Sequence, residues 1–239
     1  DYFHHNIGGL VTLMQAMAAA GVFRLVFSSS AAVYGVPETL PIPETAPRSH
    51  ANPYGYTKLV GEEIIEQAAA SDARWSVGVL RYFNPVGAHP SGLIGEDPKG
   101  TPNNLMPYVA KVASGELPEI LVFGDDYPTP DGSGLRDFIH VCDLAEGHVL
   151  ALEALFRNGE GHVVNLGTGQ GYSVLELVAA YTKASGRALP YRIAPRRPGD
   201  PAASYADPSK ARALLGFEAT RSLEEMCASS WHWIQTGTT

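Results

Sequence analysis

Tyr54 and Lys58 are the residues whose types and spacing most directly suggest chemistry. They sit in the run Asn52-Pro53-Tyr54-Gly55-Tyr56-Thr57-Lys58. Asn52 suits a helix cap and Pro53 the first helical position, so a helix is predicted to open here. Four residues apart on that helix, Tyr54 and Lys58 stand one above the other on the same face. A free phenol ionises near a pKa of about 10 and is a poor base at neutral pH. A neighbouring ammonium favours the phenolate, so Lys58 is expected to lower that pKa. A Tyr poised in this way exchanges a proton with a substrate hydroxyl. The same spacing also occurs in ordinary surface pairs, so the surroundings have to decide between the two.

Those surroundings read as alternating strands and helices. Ile7, Leu10, Val11, Met14 and Met17 fall at helical spacing up to a stop at Gly21, with the methionines read as core. Arg24-Leu25-Val26-Phe27-Ser28-Ser29-Ser30 is a short apolar run ending in three hydroxyls, which predicts a buried parallel strand with a polar mouth. Ligands of open α/β sheets collect at the carboxyl ends of strands, so Ser28 and Ser30 are candidate functional residues. A proline-rich loop covers residues 36–53, and the helix opened by Pro53 is expected to reach about residue 70. A further strand is predicted over residues 75–83, closed by Asn84-Pro85, which completes a right-handed crossover unit of a parallel sheet.

From Val86 to about residue 137 glycine and proline punctuate the chain, with a short helix expected over 105–114 and a strand over 120–123. Phe138-Ile139-His140-Val141 leads into a helix to about residue 156, and a strand follows over 162–166. Gly167-Thr168-Gly169-Gln170-Gly171 invites a phosphate-loop reading, but its third glycine has the wrong spacing for a dinucleotide fingerprint, so these glycines are read as structural. Ser173 with Glu176, and Ser222 with Glu225, form capping boxes for helices over 174–185 and to about 234. A strand is expected over 187–191, a basic turn at Arg196–Asp200, a helix from Asp207-Pro208 to Leu215, and a frayed tail over 236–239.

The whole predicts an α/β fold. A Rossmann-like parallel sheet with helices on both faces occupies residues 1–84 and is completed by elements around 138–167. A smaller, irregular lobe occupies mainly residues 85–239.

Composition narrows the partners. The 239 residues are 45% hydrophobic and 18% charged, ordinary for a globular chain, and the net charge is −8. That charge argues against nucleic acid and anionic membranes as partners, though not against a local anion site. Cys142 and Cys227 are too few for a disulfide framework, so a reduced, cytoplasmic setting is expected. No apolar run reaches the roughly 18 residues of a membrane span. His89, His140 and His148 show no metal-ligand spacing, so no metal is expected and they are read as structural or surface residues.

Together, Ser28-Ser29-Ser30-Ala31-Ala32-Val33-Tyr34-Gly35, Tyr54-x-x-x-Lys58 and Leu80-Arg81-Tyr82-Phe83-Asn84 resemble the extended short-chain dehydrogenase/reductase superfamily. Longer blocks narrow this to a resemblance to the UDP-glucose 4-epimerase family: residues 83–92, 95–98 and 102–108, Gly134-Leu135-Arg136-Asp137-Phe138-Ile139-His140-Val141, and Arg196-Arg197-Pro198-Gly199-Asp200. It covers essentially the whole sequence.

The resemblance implies an isomerase that interconverts UDP-galactose and UDP-glucose. It oxidises the hexose at C4 with NAD, lets the 4-keto sugar rotate about the diphosphate, and returns hydride to the other face. By the same resemblance Tyr54 is the catalytic base, Lys58 holds the nicotinamide ribose and depresses the Tyr pKa, and Ser30 bridges the sugar 4-oxygen to Tyr54. Ser28, Tyr82 and Pro85 match cofactor contacts. Asn84, Asn104 and Leu105 match residues holding the nucleotide diphosphate, with Leu121 and Phe123 near the uracil. Arg136 and Arg197 match diphosphate ligands, and Asp200 a ribose-hydroxyl acceptor. Guanidinium forks suit a pyrophosphate, and two local cations outweigh a diffuse negative charge at short range. The family is usually homodimeric, and helices over 7–20 and 54–70 could build such an interface.

Three departures bear on this. The family's opening glycine-rich segment has no counterpart, and the sequence is expected to be part of a longer chain. Tyr56-Thr57 replaces the commoner Lys-Ser, off the Tyr54/Lys58 face. Ser204 stands beside the expected hexose position, where it would leave room for a 2-acetamido group and so admit UDP-GlcNAc and UDP-GalNAc. Two alternatives remain. In a nucleotide-sugar dehydratase or decarboxylase on this scaffold, Ala31-Ala32 would stand where related dehydratases carry an acidic pair. The other is an inactive UDP-sugar-binding fragment.

Overall fold

The computed structural model describes residues 2–237. In chain order, a π-helical turn Phe3–Gly8 passes into α1 (Gly9–Ala19). Next come β1 (Arg24–Ser30), a 3-10 turn at Ala31–Val33, α2 (Pro53–Ser71), β2 (Ser76–Tyr82) and β3 (Asn84–Val86). Then follow α3 (Leu105–Ser114), β4 (Ile120–Phe123), β5 (Leu135–Arg136), β6 (Phe138–His140) and α4 (Val141–Asn158). The chain ends with β7 (His162–Leu166), β8 (Tyr172–Ser173), α5 (Val174–Ser185), β9 (Tyr191–Ala194), β10 (Ala203–Ser204), α6 (Ser209–Leu215) and α7 (Leu223–Gly237).

The chain divides into two compact units. The first comprises the chain up to Phe83 with Glu146–Leu166 and Ala206–Glu218. The second comprises Asn84–Ala145, Gly167–Tyr205 and the chain from Ala219 on.

In the first unit, β1, β2 and β7 form a parallel sheet in the order β1-β2-β7. Register sets Ser30 opposite Tyr82, and Tyr82 opposite Leu166, so the strands finish level with one another. Side chains alternate across a strand, and the two faces carry different partners. Phe27 and Ser29 meet α2: a Cβ on Gly61 would lie 2.7 Å from the Phe27 ring, and Ser29 Oγ donates to Glu62 Oε1 at 2.5 Å. Ser28 and Tyr82 meet α4, where His148 Nε2 lies 2.9 Å from Ser28 Oγ and the His148 and Tyr82 rings are 6.0 Å apart. Helices therefore cover both faces, as alternation of strand and helix predicts. Leu10, Met14, Ile65, Val77 and Val79 pack as one core cluster, and Val33, Tyr34, Ile42, Phe83 and Ala206 as another.

The second unit is built on α3, α5 and α7, whose buried Val109, Leu177, Tyr181, Met226 and Cys227 share a core with Ile120, Val122 and Phe138. Short ladders surround it: β4 with β9, β3 with β6, and β5 between β10 and β8. The Ser173–Glu176 capping box is present in full, and Ser222 and Glu225 exchange the bonds of the second.

Three local expectations are corrected. Asn84-Pro85 does not merely close β2; Asn84–Val86 is itself a strand, paired in parallel with Phe138–His140. The strand expected over 187–191 lies at Tyr191–Ala194, because its pairing with Ile120–Phe123 sets its limits. The tail expected to fray is helical to Gly237, and Thr236 Oγ1 donates to the Gly92 carbonyl at 2.7 Å. Residues 238 and 239 lie outside the described residues.

Gly55 is where α2 approaches the end of β1 most closely. A Cβ there would stand 2.8 Å from the backbone oxygen of Ala32, which lacks the freedom of a side chain to move aside. Gly55→Ala is expected to destabilise the chain by about 1–3 kcal/mol through overpacking. An unchanged midpoint in urea unfolding would show that the contact is slack.

Candidate active site

Asn52 caps α2 as its sequence predicts, its Oδ1 accepting from the Gly55 amide at 2.8 Å, and Pro53 opens the helix. Tyr54 therefore sits in the first turn and Lys58 in the second, both half-buried. Lys58 Nζ donates to the backbone carbonyl of Ser28 at 2.9 Å and lies 5.4 Å from the centre of the Phe27 ring. Ser30 ends β1 with its Oγ accepting from the Ala32 amide at 3.2 Å, and its hydroxyl is near enough to Tyr54 to favour the phenolate. The structure thus gathers Tyr54, Lys58, Ser28 and Ser30 at the carboxyl end of one strand, with Tyr82 closing the next.

The expected depression of the Tyr54 pKa is not what this arrangement gives. Burial pushes the phenol above its ordinary value, Tyr82 and Tyr2 push the same way, and only the nearby Ser30 hydroxyl opposes them. The ammonium of Lys58 is engaged with Ser28, 5.7 Å from the centre of the Tyr54 ring, and its own pKa is lowered by burial. Burial outweighs the charge that the helical spacing promised.

A dinucleotide's nicotinamide end fits these residues. One of the three Lys58 protons goes to Ser28, which leaves two donors for ribose hydroxyls. The Ser28 hydroxyl and the Tyr82 ring offer polar and aromatic surface beside it. His148, read from sequence as structural or surface, belongs in this group through its contacts with Ser28 and Tyr82. Its place on α4, which packs on the Ser28 face, has no local sequence signal.

Within the second unit lies a cavity of ≈ 460 Å³. Asn84, Pro85, Asn104, Leu105, Leu121, Phe123, Arg136, Arg197 and Asp200 all line it, as do Tyr108, Tyr127 and Phe138, which sequence reading did not single out. This volume falls within the range of ligand-sized pockets. Arg136 is braced by the carbonyls of Leu135 and Pro201, at 2.7 and 3.0 Å, and by an ion pair of 2.9 Å with Asp200. The Arg197 guanidinium lies 3.9 Å from the centre of the Phe123 ring. Asn104 precedes the first turn of α3 without capping it through its side chain, so first-turn amides there suit an anion. Two guanidiniums, a helix start and an aromatic face make a site for a diphosphate joined to a flat base. Ser204 is not among the lining residues; it sits half-buried on β10, opposite Arg136. Arg196 is an exposed partner of Asp126.

The Gly167–Gly171 loop is occupied internally. Asp137 accepts from the Thr168 and Gly169 amides at 2.8 and 3.0 Å and from Thr168 Oγ1 at 2.7 Å, so a buried carboxylate takes the place a phosphate would have. Among the described residues no group of three or more His, Cys, Asp or Glu is placed to hold a metal ion, and no helix is long and apolar enough to cross a membrane.

A parallel sheet flanked by helices, with Ser, Tyr and Lys at its carboxyl end, defines a Rossmann-like protein of the dehydrogenase and epimerase type. Residues 1–167 match the model of the NAD dependent epimerase/dehydratase family, and the chain belongs to that family. It is 60% identical over 232 residues to a UDP-glucose 4-epimerase of Bacillus subtilis, covering 97% of this chain and 68% of that protein. The UDP-glucose 4-epimerase of Stenotrophomonas maltophila, solved with bound NAD and formylated UDP-arabinopyranose, superposes with a TM-score of 0.96 at 53% identity; the match covers 99% of this chain and 70% of that one. The Bifidobacterium longum enzyme, in complex with NAD+ and UDP, gives 0.92 at 52% identity with the same coverage.

The raised Tyr54 pKa has a spectroscopic consequence. In the chain without added cofactor, the absorbance of wild type minus Tyr54→Phe at 295 nm is expected to stay flat up to about pH 10. A step at or below pH 9 would mean that Lys58 dominates after all.

Proposed function

We propose that this chain is a UDP-hexose 4-epimerase that interconverts UDP-galactose and UDP-glucose. The observation that carries the reading is Lys58 bonded to the Ser28 carbonyl at 2.9 Å, with Tyr54 one turn away on the same helix and Ser30 ending the same strand. NAD, when bound, supplies the acceptor and donor of hydride. Lys58 and Ser28, with Tyr82 and Pro85, hold its nicotinamide end. Tyr54 takes the proton of the sugar 4-hydroxyl and later gives it back, and Ser30 steadies the oxygen between them. Arg136 and Arg197 grip the diphosphate and Asp200 a ribose hydroxyl. Asn84, Asn104 and Leu105 hold the nucleotide, while Leu121 and Phe123 face the uracil. Held at its diphosphate, the hexose is free to present either face.

Burial holds the Tyr54 phenol above its ordinary pKa, so without cofactor it stays protonated at neutral pH.

A dehydratase needs an acid and a base after Ser30, and Ala31-Ala32 supply neither. We expect a homodimer, supported by exposed Val11 and Leu13 on α1. A cytoplasmic setting is supported by a cysteine count of two, too few for a disulfide framework.

UDP-galactose incubated with the NAD-loaded enzyme is expected to yield UDP-glucose, and Tyr54→Phe to slow this by about 10²–10⁴-fold. Full turnover by the Phe variant would remove the proposed base. The small Ser204 side chain further suggests that acetamido sugars are accepted. Ser204→Tyr should then abolish turnover of UDP-GlcNAc and spare UDP-galactose, and equal loss of both would count against that role.

A further inference from the structure

Glu62 stands two turns below Tyr54 and one below Lys58, at four-residue steps along α2. It is 1% exposed, yet it contacts no residue assigned to the site. Its carboxylate is held in a fork by Arg81, with Nε to Oε1 at 2.9 Å and Nη2 to Oε2 at 2.6 Å, and Arg81 is itself 4% exposed. Ser29 Oγ donates to Oε1 at 2.5 Å, and Arg48 Nη1 to Oε2 at 3.2 Å. Arg81 continues the network through Nη1, to Tyr34 Oη at 3.1 Å and the Glu44 carbonyl at 3.0 Å. Tyr34 Oη donates in turn to Asn165 Oδ1 on β7 at 2.7 Å. One carboxylate thus joins α2 to β1, β2 and, through Arg81 and Tyr34, to β7.

Stability alone does not explain the arrangement. Apolar groups of similar volume serve as well as a buried ion pair or better, because desolvation consumes most of the Coulombic gain. What the ion pair adds is direction. Ser29 lies between Ser28, which receives Lys58, and Ser30, whose hydroxyl favours the Tyr54 phenolate. Arg81 precedes Tyr82 and is paired in register with Ser29. Burial pushes the Glu62 carboxyl up, but its bonds from Arg81, Ser29 and Arg48 more than offset this and leave it below its ordinary range, so it is charged at neutral pH.

We propose that Glu62, clamped between Ser29 and Arg81, is a positioning residue that fixes the height of α2 against β1 and thereby the placing of Lys58 on Ser28 and of Tyr54 beside Ser30. An apolar helix face tolerates sliding by a fraction of the 1.5 Å rise per residue, whereas a forked carboxylate does not. Misplacement of about 1 Å in a reacting pair costs up to about 10²-fold in rate.

This inference rests on the epimerase reading, and the test separates the two. Wild type, Tyr54→Phe, Glu62→Gln and Ser29→Ala are compared as NAD-loaded enzymes with UDP-galactose, with kcat expressed per bound NAD. Ser29→Ala removes one clamp bond from a small residue and guards against a Glu62 variant that does not fold. Glu62→Gln is expected to lower kcat by about 10–100-fold and Ser29→Ala by about 3–10-fold, both with KM within twofold, because the UDP grip uses neither residue. Ser29→Thr, which keeps the hydroxyl, should recover most of the loss. A merely structural role would lower the melting temperature and the yield of NAD-loaded protein but leave kcat per site intact, and that result overturns the proposal. So does a parallel rise in KM. If wild type itself does not epimerise, the epimerase reading fails instead.

Discussion

The first unit depends on one contact of unlike groups: an ammonium on a helix and a peptide carbonyl at the end of a strand, Lys58 Nζ on Ser28 O at 2.9 Å. A lysine placed there has lost part of its hydration, as its lowered pKa records, and a fixed carbonyl replaces some of the lost water. The bond also determines what surrounds it. Gly55 and Gly61 keep the helix close, because a Cβ at either would meet the Ala32 carbonyl or the Phe27 ring at under 3 Å. With α2 so close, Tyr54 is half-buried beside the strand end.

Closeness has an electrostatic consequence that runs against the simplest reading of a Tyr and a Lys on one helix face. Packing that brings the pair to the strand also removes water from both, and removal of water favours each neutral form. The Tyr therefore rises and the Lys falls. A phenol in that state stays protonated at neutral pH. The second unit presents the opposite arrangement, cations gathered in a cavity within a chain of net charge −8. It braces Arg136 with carbonyls and one carboxylate and lays Arg197 on a ring, so the cations are fixed before any ligand arrives. Fixed donors lose little entropy on binding.

Much of this was legible in the sequence. The strand ending in three serines, the Asn-Pro helix start and the Ser173 capping box are local signals, and each occupies the place its pattern predicts. The cavity residues of the second unit were found only through resemblance, since nothing in the spacing of Asn84, Asn104, Phe123 and Arg197 announces a shared wall. Pairings between distant segments set the limits of β3 and β9, so both strands were misjudged. His148 carries no local signal for its contact with the strand, because its partner Ser28 lies 120 residues away.

Asp137 shows the limit of motif reading most clearly. Gly167-Thr168-Gly169 has the backbone freedom of an anion loop, and the structure does fill it with an anion, but one supplied by the chain itself. Amide groups do not distinguish a phosphate from a carboxylate carried on a neighbouring strand. What decides is whether the protein spends its own acid there, and that depends on a contact across roughly thirty residues of sequence, here given by Asp137 with Thr168. The same logic governs Glu62. A carboxylate four residues past Lys58 looks like any helical glutamate until Ser29 and Arg81 are known to face it. For both acids, function in the fold follows from which partners the tertiary structure delivers, and burial without those partners would have been too costly to persist.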